Sequence, residues 1–252
     1  MSGGVPELQV TWLGQAGFLL EANGARMLID PWVSASEGRL IASPPLELVA
    51  DRIDAVLVTH EHGDHLDHEF LHALVQRSPD AAIVVPTPIV DQVGELEHVR
   101  GVGPGERLAV AGWDVEVVPA WHAVEVENGY DDGDGRFVGY LVRVGSTTVY
   151  HAGDTIATDE LLTTLAGKAV DVALLPVNGR DFFREREGLA GNLDAREAVL
   201  VARRIGASIL VPYHWDAWRG NTVPPGRVAD EAAGETPHVL CLARFVPFRL
   251  PA

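Results

Sequence analysis

The sequence contains a single cysteine, Cys241, and no apolar run that approaches the ~20 residues a membrane span needs. One cysteine excludes an internal disulfide and favours a reducing compartment, so a cytoplasmic location is expected. We expect Cys241 to be a small, buried apolar residue. The stretch Met1 to Val10 has neither a basic start nor an apolar segment, which predicts no signal peptide.

Basic residues are also scarce, and the formal net charge is -17. A field of that sign repels phosphate backbones, so nucleic acid is excluded as a partner and a small-molecule substrate is favoured. The 252 residues are 47% hydrophobic, which is enough for a sizeable core. No Pro/Ser-rich linker interrupts the chain, so residues 1–252 are predicted to form one domain, with half-repeats of about 1–120 and 121–252.

The segment Thr59 to Asp67 holds three imidazoles and three carboxylates within nine residues. It follows the apolar run Ile53 to Val58, which is typical of a buried strand, and precedes a helical pattern over about residues 67–77. Imidazole suits zinc and iron, and carboxylate adds compensating charge. The pattern His-x-His-x-Asp-His therefore predicts a metal site at the end of a strand.

Each half begins with predicted hairpin strands and continues with alternating strands and helices. We expect a four-layer sandwich in the order helices, sheet, sheet, helices, which is an α/β (α+β) fold. Ile89 to Leu96 is predicted to be a short helix and His238 to Phe245 a last strand. Residues 33–50 are predicted to be a loop that forms either a wall of the active-site mouth or ordinary surface.

Several short motifs resemble those of the metallo-β-lactamase superfamily, in its L-ascorbate-6-phosphate lactonase-like branch of predicted metal-dependent hydrolases. One difference from that lactonase is His122, at the end of Pro119-Ala120-Trp121-His122; here the chain resembles N-acylphosphatidylethanolamine phospholipase D-like members. The matching stretches are Trp12-Leu13-Gly14, Ile29-Asp30-Pro31-Trp32, Ile53 to His60, Tyr150 to Asp154, Ile209 to His214 and Asp216-Ala217-Trp218.

The resemblance implies a four-layer αβ/βα sandwich with two similar halves, two divalent metal ions (zinc or manganese, with iron as an alternative) and possible homo-oligomers. It also implies that Asp64 and His214 act in catalysis, and that Asp30 orients a ligand histidine from behind. The implied ligands are His60, His62 and His122 for the first ion, Asp64, His65 and His214 for the second, and Asp154 as a bridge.

Two ions ~3.5–4 Å apart lower the pKa of a shared water towards ~7, which supplies hydroxide at neutral pH. The chain shows no serine or cysteine nucleophile motif, which fits attack by that hydroxide. We expect hydrolysis of a small ester-type substrate, a lactone or other carboxylic ester first and a phosphodiester second. Asp64 is expected to accept a hydrogen bond from the nucleophile.

Two other functions agree with the same ligands. One is a mononuclear iron oxidoreductase of the persulfide dioxygenase type, and the other is a metal-binding protein without catalysis. Metal content and oxygen consumption distinguish the first of these from a hydrolase.

Further residues are candidates for substrate contacts or support. Arg180 is predicted either to clamp an anionic substrate group or to form a surface salt bridge. Glu61 is expected to support the site rather than act as a base. The other candidate substrate residues are Asn178, Trp215 and Trp218. Together with Trp121, the two tryptophans are predicted either to line an apolar pocket or to pack beneath the site.

Overall fold

The structure, a computed structural model, describes residues 8–123 and 125–250. Residues 1–7, part of the stretch in which no signal peptide is expected, lie outside the described residues. Two seven-stranded sheets form the centre of the molecule. No helix in the described ranges is long and apolar enough to cross a membrane.

The first sheet has the strand order β14-β1-β2-β3-β4-β5-β6. Its β1–β3 meander is antiparallel, whereas β3 to β6 run parallel. The strands are β1 (Gln9–Gly14), β2 (Gly17–Ala22), β3 (Ala25–Ile29), β4 (Ala55–Leu57), β5 (Ala82–Pro86), β6 (Val99–Val102) and β14 (Pro247–Arg249).

The second sheet repeats this plan with the order β13-β12-β11-β10-β9-β8-β7. Strands β7 to β10 are antiparallel and β10 to β13 are parallel. The strands are β7 (Arg107–Val110), β8 (Trp113–Pro119), β9 (Val138–Val144), β10 (Thr147–His151), β11 (Val172–Pro176), β12 (Ile209–Tyr213) and β13 (His238–Val239).

Helices α1 (Leu46–Ala50) and α2 (His68–Arg77) cover the outer face of the first sheet, and α3 (Asp159–Leu165), α5 (Ala195–Ile205) and α6 (Gly226–Ala232) cover that of the second. The remaining helix, α4 (Phe182–Arg186), buries no residue. The 3₁₀ turns are Thr87–Gln92, Val126–Asn128 and Gly133–Gly135.

Side-chain alternation along the strands builds the layers. On β2, Phe18 and Leu20 face the core between the sheets, while Leu19 faces the helices. On β11, Leu174 belongs to the core between the sheets and Leu175 to the core beneath the helices. The predicted four-layer sandwich is confirmed.

Four local predictions differ from the structure. Residues 33–50, predicted to be a loop, include the short helix α1 at Leu46–Ala50. The segment Ile89 to Leu96, predicted to be a short helix, forms only a 3₁₀ turn over Thr87–Gln92. The last predicted strand is only His238–Val239, and the chain then leaves the sheet before β14. Cys241 lies in that irregular segment and is exposed rather than buried.

The two sheets also do not divide at the boundary between half-repeats that is predicted near residue 120. Strands β7 and β8 already belong to the second sheet, because β8 pairs with β9 along Asp114 to Pro119. In return, β14 from the end of the chain joins the first sheet beside β1. Each sheet therefore contains strands from both predicted half-repeats, and no single position in the chain separates the two sheets.

Candidate metal centre

Three histidines that follow strand ends lie close together. His60 and His62 follow β4, and His122 follows β8. The His60 Nε2 atom lies 3.0 Å from His62 Nδ1, which lies 3.3 Å from His122 Nε2. His60 and His122 are buried. The strand ends thus bring together three imidazole nitrogens from distant parts of the chain.

A second group lies beside the first and contains Asp64, His65 and His214, of which His214 follows β12. The Asp64 Oδ2 atom is 3.6 Å from His214 Nε2. Asp154 lies between the groups: its Oδ2 is 3.1 Å from His214 Nε2 and 3.6 Å from His122 Nε2. Its Oδ1 is 3.4 Å from His65 Nε2.

Asp30 supports this centre from the end of β3. Its Oδ1 accepts a hydrogen bond from the Thr59 backbone N–H, and its Oδ2 accepts one from the Thr59 hydroxyl. The same Oδ2 lies 2.7 Å from His65 Nδ1. Because Nδ1 of His65 is engaged there, its Nε2 faces Asp154. The contacts agree with the expected role of a carboxylate behind a ligand histidine.

The Asp154 turn depends on Gly153. Its φ of +63° is left-handed, and a Cβ there would lie 2.5 Å from the Val138 carbonyl oxygen. The Tyr213 hydroxyl donates to the Gly153 carbonyl, and the Gly153 N–H donates to His151 Nδ1. His151 therefore supports the turn and stacks on Tyr213.

Burial keeps the first three imidazoles neutral. It lowers the pKa of His60 well below its usual value, and the neighbouring His65 and His62 lower it further. Burial also lowers the pKa of His62 and brings that of His122 to about 3. Neutral imidazole is the form that ligates metal, so these side chains are prepared for a cation near neutral pH.

The second group has the opposite electrostatics. Burial opposes the charge on His65, but Asp154, Asp30 and Asp64 raise its pKa well above the usual value. Burial likewise opposes ionisation of Asp154, yet His214 and His65 hold its pKa well below the usual range. A bound cation would take over the role of these histidine charges as partner of the carboxylates.

The side chains fit a metal on geometric grounds. Ligands at 2.0–2.1 Å around a tetrahedral zinc lie about 3.3 Å apart, close to the 3.0 and 3.3 Å separations around His62 Nδ1. Asp154 Oδ1 and His65 Nε2 are buried without a hydrogen-bond partner among the described residues. Buried polar atoms are nearly always satisfied, and a cation held between these two atoms would satisfy both.

A cavity of about 360 Å³ opens over both groups. Trp218, Leu189 and Ala190 give it an apolar side. Arg219 and Asn221 give it polar groups, and Arg219 makes no ion pair with another described residue. His62, Asp64, His122, Asp154 and His214 form its floor.

The predicted substrate residues divide between this cavity and its surroundings. Trp218 lines the cavity, whereas Trp215 packs on Trp12 in the core, with ring centroids 5.0 Å apart. Asn178 is buried and donates to Asn221 Oδ1, so it supports a lining residue. Trp121 packs in the core beneath the helices.

Arg180 lies outside the cavity lining. Its guanidinium forms two hydrogen bonds with the Glu197 carboxylate, at 2.7 and 2.8 Å. These contacts match the salt-bridge alternative rather than the anion clamp. Glu61 similarly pairs with Arg136 at 2.7 Å, which agrees with a supporting role.

The loop after β3 supports the cavity wall from behind. Trp32 stacks on Trp218 with ring centroids 5.1 Å apart, and the Arg39 guanidinium lies over the Trp32 ring. The Asp67 carboxylate accepts hydrogen bonds from Ser34 and from the Val33 N–H. Residues 33–50 therefore touch the metal-motif segment and Trp218 without lining the cavity.

Sequence reasoning missed Gln15, Arg219 and Asn221. Gln15 is buried, and its side-chain amide contacts both Asp64 and His214. Its position in the Gly-Gln-Ala-Gly turn after β1, at the same sheet edge as the ligands, was the available signal. Arg219 and Asn221 lie in an irregular segment, where no sequence periodicity indicates which way a side chain points.

The fold and the convergent histidine and carboxylate groups define a metal-dependent hydrolase of the metallo-β-lactamase fold. Residues 25–215 match the model of the Beta-lactamase superfamily domain. A UPF0173 metal-dependent hydrolase of Methanopyrus kandleri is 31% identical over 222 residues, which cover 86% of each chain. The chain belongs to the beta-lactamase superfamily, among the UPF0173 metal-dependent hydrolases, and the predicted superfamily is confirmed.

Solved structures agree on the fold. Igni18, a metallo hydrolase from Ignicoccus hospitalis, superposes with a TM-score of 0.77 at 21% identity, covering 98% of this chain and 99% of that one. An isothiocyanate hydrolase from Delia radicum gut bacteria gives a TM-score of 0.77 at 18% identity, covering 97% and 100%. At these identities the likeness shows the fold alone.

Proposed function

We propose that this hydrolase is dinuclear, with His60, His62 and His122 holding one divalent cation and Asp64, His65 and His214 holding the other. The observation that carries this proposal is the position of Asp154. Its carboxylate lies 3.6 Å from a histidine of the first group and 3.1 Å from a histidine of the second. Zinc and manganese are the expected ions, since both accept mixed nitrogen and oxygen ligands.

Such a pair of ions would supply a water of lowered pKa and polarise the oxygen that gains charge. Asp64, which lies in the cavity floor, would accept a hydrogen bond from that nucleophile and orient it. His214, which lies between Asp64 and Asp154, would act with Asp64 in catalysis as a ligand of the second cation. Arg219 would attract a negative group of the substrate, and Asn221, held by Asn178, would fix a polar atom.

The proposed substrates are small lactones or other carboxylic esters first, and phosphodiesters second. The cavity of about 360 Å³ suits a small molecule. Its apolar wall suits the carbon skeleton, and Arg219 suits an acidic substituent. Among its lining residues in the described ranges there is no serine or cysteine, which supports attack by water rather than by a side chain.

A substrate panel tests the proposal. The protein is freed of metal, reloaded with zinc, manganese or iron, and assayed with lactones, carboxylic esters, phosphodiesters, phosphonates, an isothiocyanate and, for oxygen consumption, glutathione persulfide. We expect two ions per chain and turnover of an ester-type compound. One iron per chain with oxygen consumption on glutathione persulfide, or no turnover with any metal, contradicts it.

Asp64→Asn is the matching variant. We expect kcat to fall by roughly two or more orders of magnitude, because a positioned proton acceptor typically contributes that much to the rate of hydrolysis. The fold should be retained. Metal content is measured in parallel, because Asp64 also stands among the proposed ligands. Asp114→Asn, an exposed carboxylate on β8, is the control and should keep full activity; near-normal turnover of Asp64→Asn contradicts the role.

A further inference from the structure

The Gln15 side chain reaches into the second ligand group. Its Nε2 lies 2.6 Å from Asp64 Oδ2 and 2.9 Å from His214 Nε2. These are the two atoms of Asp64 and His214 that lie nearest each other, 3.6 Å apart. The same Nε2 lies 3.3 Å from His214 Nδ1, so the carboxamide packs against the His214 ring and contacts directly the Asp64 oxygen that a second cation would use.

Three hydrogen bonds fix the position of the Gln15 backbone. Its N–H donates to Asp216 Oδ1, and its carbonyl accepts from Trp12 Nε1 and from the His214 N–H. Its φ of +49° is left-handed, a conformation that costs energy for a residue with a Cβ and persists only where the surrounding contacts hold it. Gln15 is also 1% exposed. The carboxamide therefore stays against Asp64 and His214 whether or not a cation is bound.

A bound cation decides which end of the carboxamide faces it. An amide N–H₂ group is a donor and cannot ligate, whereas the amide oxygen is a ligand for hard cations. A half-turn about the Cγ–Cδ bond exchanges Nε2 and Oε1 without moving the backbone. Oε1 would then lie about 2.6 Å from Asp64 Oδ2, within reach of a cation that this carboxylate holds.

We propose that Gln15 is a further ligand of the second cation through Oε1, an inference that rests on the proposed two-ion centre. With Asp64, Asp154, His65 and His214, it gives the second site three oxygens and two nitrogens. Carbonyl and carboxylate oxygens suit manganese better than zinc. Gln15 therefore sets the metal preference of the second site, and in the metal-free protein its Nε2 holds Asp64 and His214 in place.

The test is manganese binding by Gln15→Met, which keeps the length of the side chain and removes its donor and acceptor. Free Mn²⁺ is followed by electron paramagnetic resonance during titration of metal-free protein. We expect the second Mn²⁺ to bind about tenfold or more weakly than in the wild type, a typical loss for a metal-site partner, with the first unchanged. The loss should be smaller with Zn²⁺.

Two further variants make the result decisive. Gln15→Glu restores an oxygen ligand, so it should bind the second Mn²⁺ at least as tightly as the wild type. Gln9→Met, on β1 just before that turn and with a side-chain amide that donates to Glu21, should behave as the wild type. Circular dichroism and the first-ion affinity report whether Gln15→Met is folded; if it is not, Gln15→Glu and Gln15→Asn decide, since the shorter amide should also weaken the second site.

Three outcomes separate the proposals. A wild type that holds two ions while Gln15→Met binds the second equally well overturns the role of Gln15 and leaves the dinuclear centre intact. A wild type that holds only one ion at saturation overturns the dinuclear proposal and this inference with it. Weakening of the second ion alone supports both.

Discussion

Asp30 shows how a single residue outside the cavity determines the chemistry inside it. It contacts Thr59 through both carboxylate oxygens and His65 through one of them. The short side chain is held by a left-handed backbone, with φ of +46°. Asp30 therefore fixes both the ring orientation of His65 and the strand end that leads into the His60 to His65 segment.

We predict that Asp30→Asn weakens metal binding at the second site. The amide lacks the charge that favours the His65 Nδ1–H tautomer and can place a donor against it. Loss of such a supporting partner costs roughly 10–100-fold in metal affinity. Equilibrium dialysis against buffered zinc or manganese measures the change.

The control for that variant is Asp171→Asn. Asp171 also accepts a backbone N–H, that of Thr148, but lies at the opposite end of β11 from the ligands. It should retain both ions at wild-type affinity. Equal affinity of Asp30→Asn and the wild type would show that His65 needs no orienting carboxylate.

At the scale of elements, Glu116 on β8 ties neighbouring strands and a helix end together. Its carboxylate accepts hydrogen bonds from Arg143 on β9 and from Lys168 after α3, and it lies 3.1 Å from Arg107 on β7. Burial opposes the charge of Glu116, but the hydrogen bonds from Lys168 and Arg143 lower its pKa below the usual value. The carboxylate therefore stabilises the fold in its ionised form.

We predict that Glu116→Gln lowers the free energy of unfolding by about 2 kcal/mol at neutral pH, the range of hydrogen bonds to charged groups. The pKa of Glu116 is depressed in the folded state, so its contribution is complete above the unfolded pKa of about 4.3 and is lost as pH falls through the folded pKa. The difference between wild type and variant should hence vanish in acid. Urea unfolding at several pH values measures it.

Glu95→Gln is the comparison for this series, since Glu95 pairs with His72 on the surface. An exposed pair contributes about 0–1 kcal/mol, so this variant should unfold close to the wild type. A Glu116→Gln deficit that grows in acid would contradict the assigned sign.

Sequence patterns predicted elements well where periodicity is long and poorly where it is short. The central strands and α5 were clear, because α5 has an Asp194–Glu197 capping box and an apolar face. The five-residue helices α1 and α4 and the end of the last strand were missed, since their packing depends on contacts distant in sequence. The seven proposed ligands could be named because their motifs resemble those of a known metal-binding superfamily, whereas Gln15 lies in the turn after β1, which carries no metal-binding signature.

At the scale of the molecule, the metal centre joins segments from both sheets. His60 to His65 follow β4 of the first sheet, while His122, Asp154 and His214 follow strands of the second. Any cation held there links the two layers. We retain the proposal of one domain, which requires the two sheets to unfold together.

We therefore predict that chelation lowers the melting temperature in a single cooperative transition. Free metal at a thousand times Kd stabilises a native state by about 4 kcal/mol. For a chain of this length that corresponds to roughly 10 °C. Differential scanning calorimetry with chelator, zinc or manganese measures it. Two separate transitions would contradict the single domain, and an unchanged melting temperature would contradict a linking cation.

The stack of Trp32 on Trp218 constrains how the specificity of this enzyme can be altered. One face of the Trp218 indole borders the cavity, and the other is covered by Trp32, which in turn lies beneath Arg39. A smaller side chain at position 218 would enlarge the cavity but would also remove the ring on which Trp32 packs. A wider cavity at this wall therefore calls for compensating substitutions in both segments.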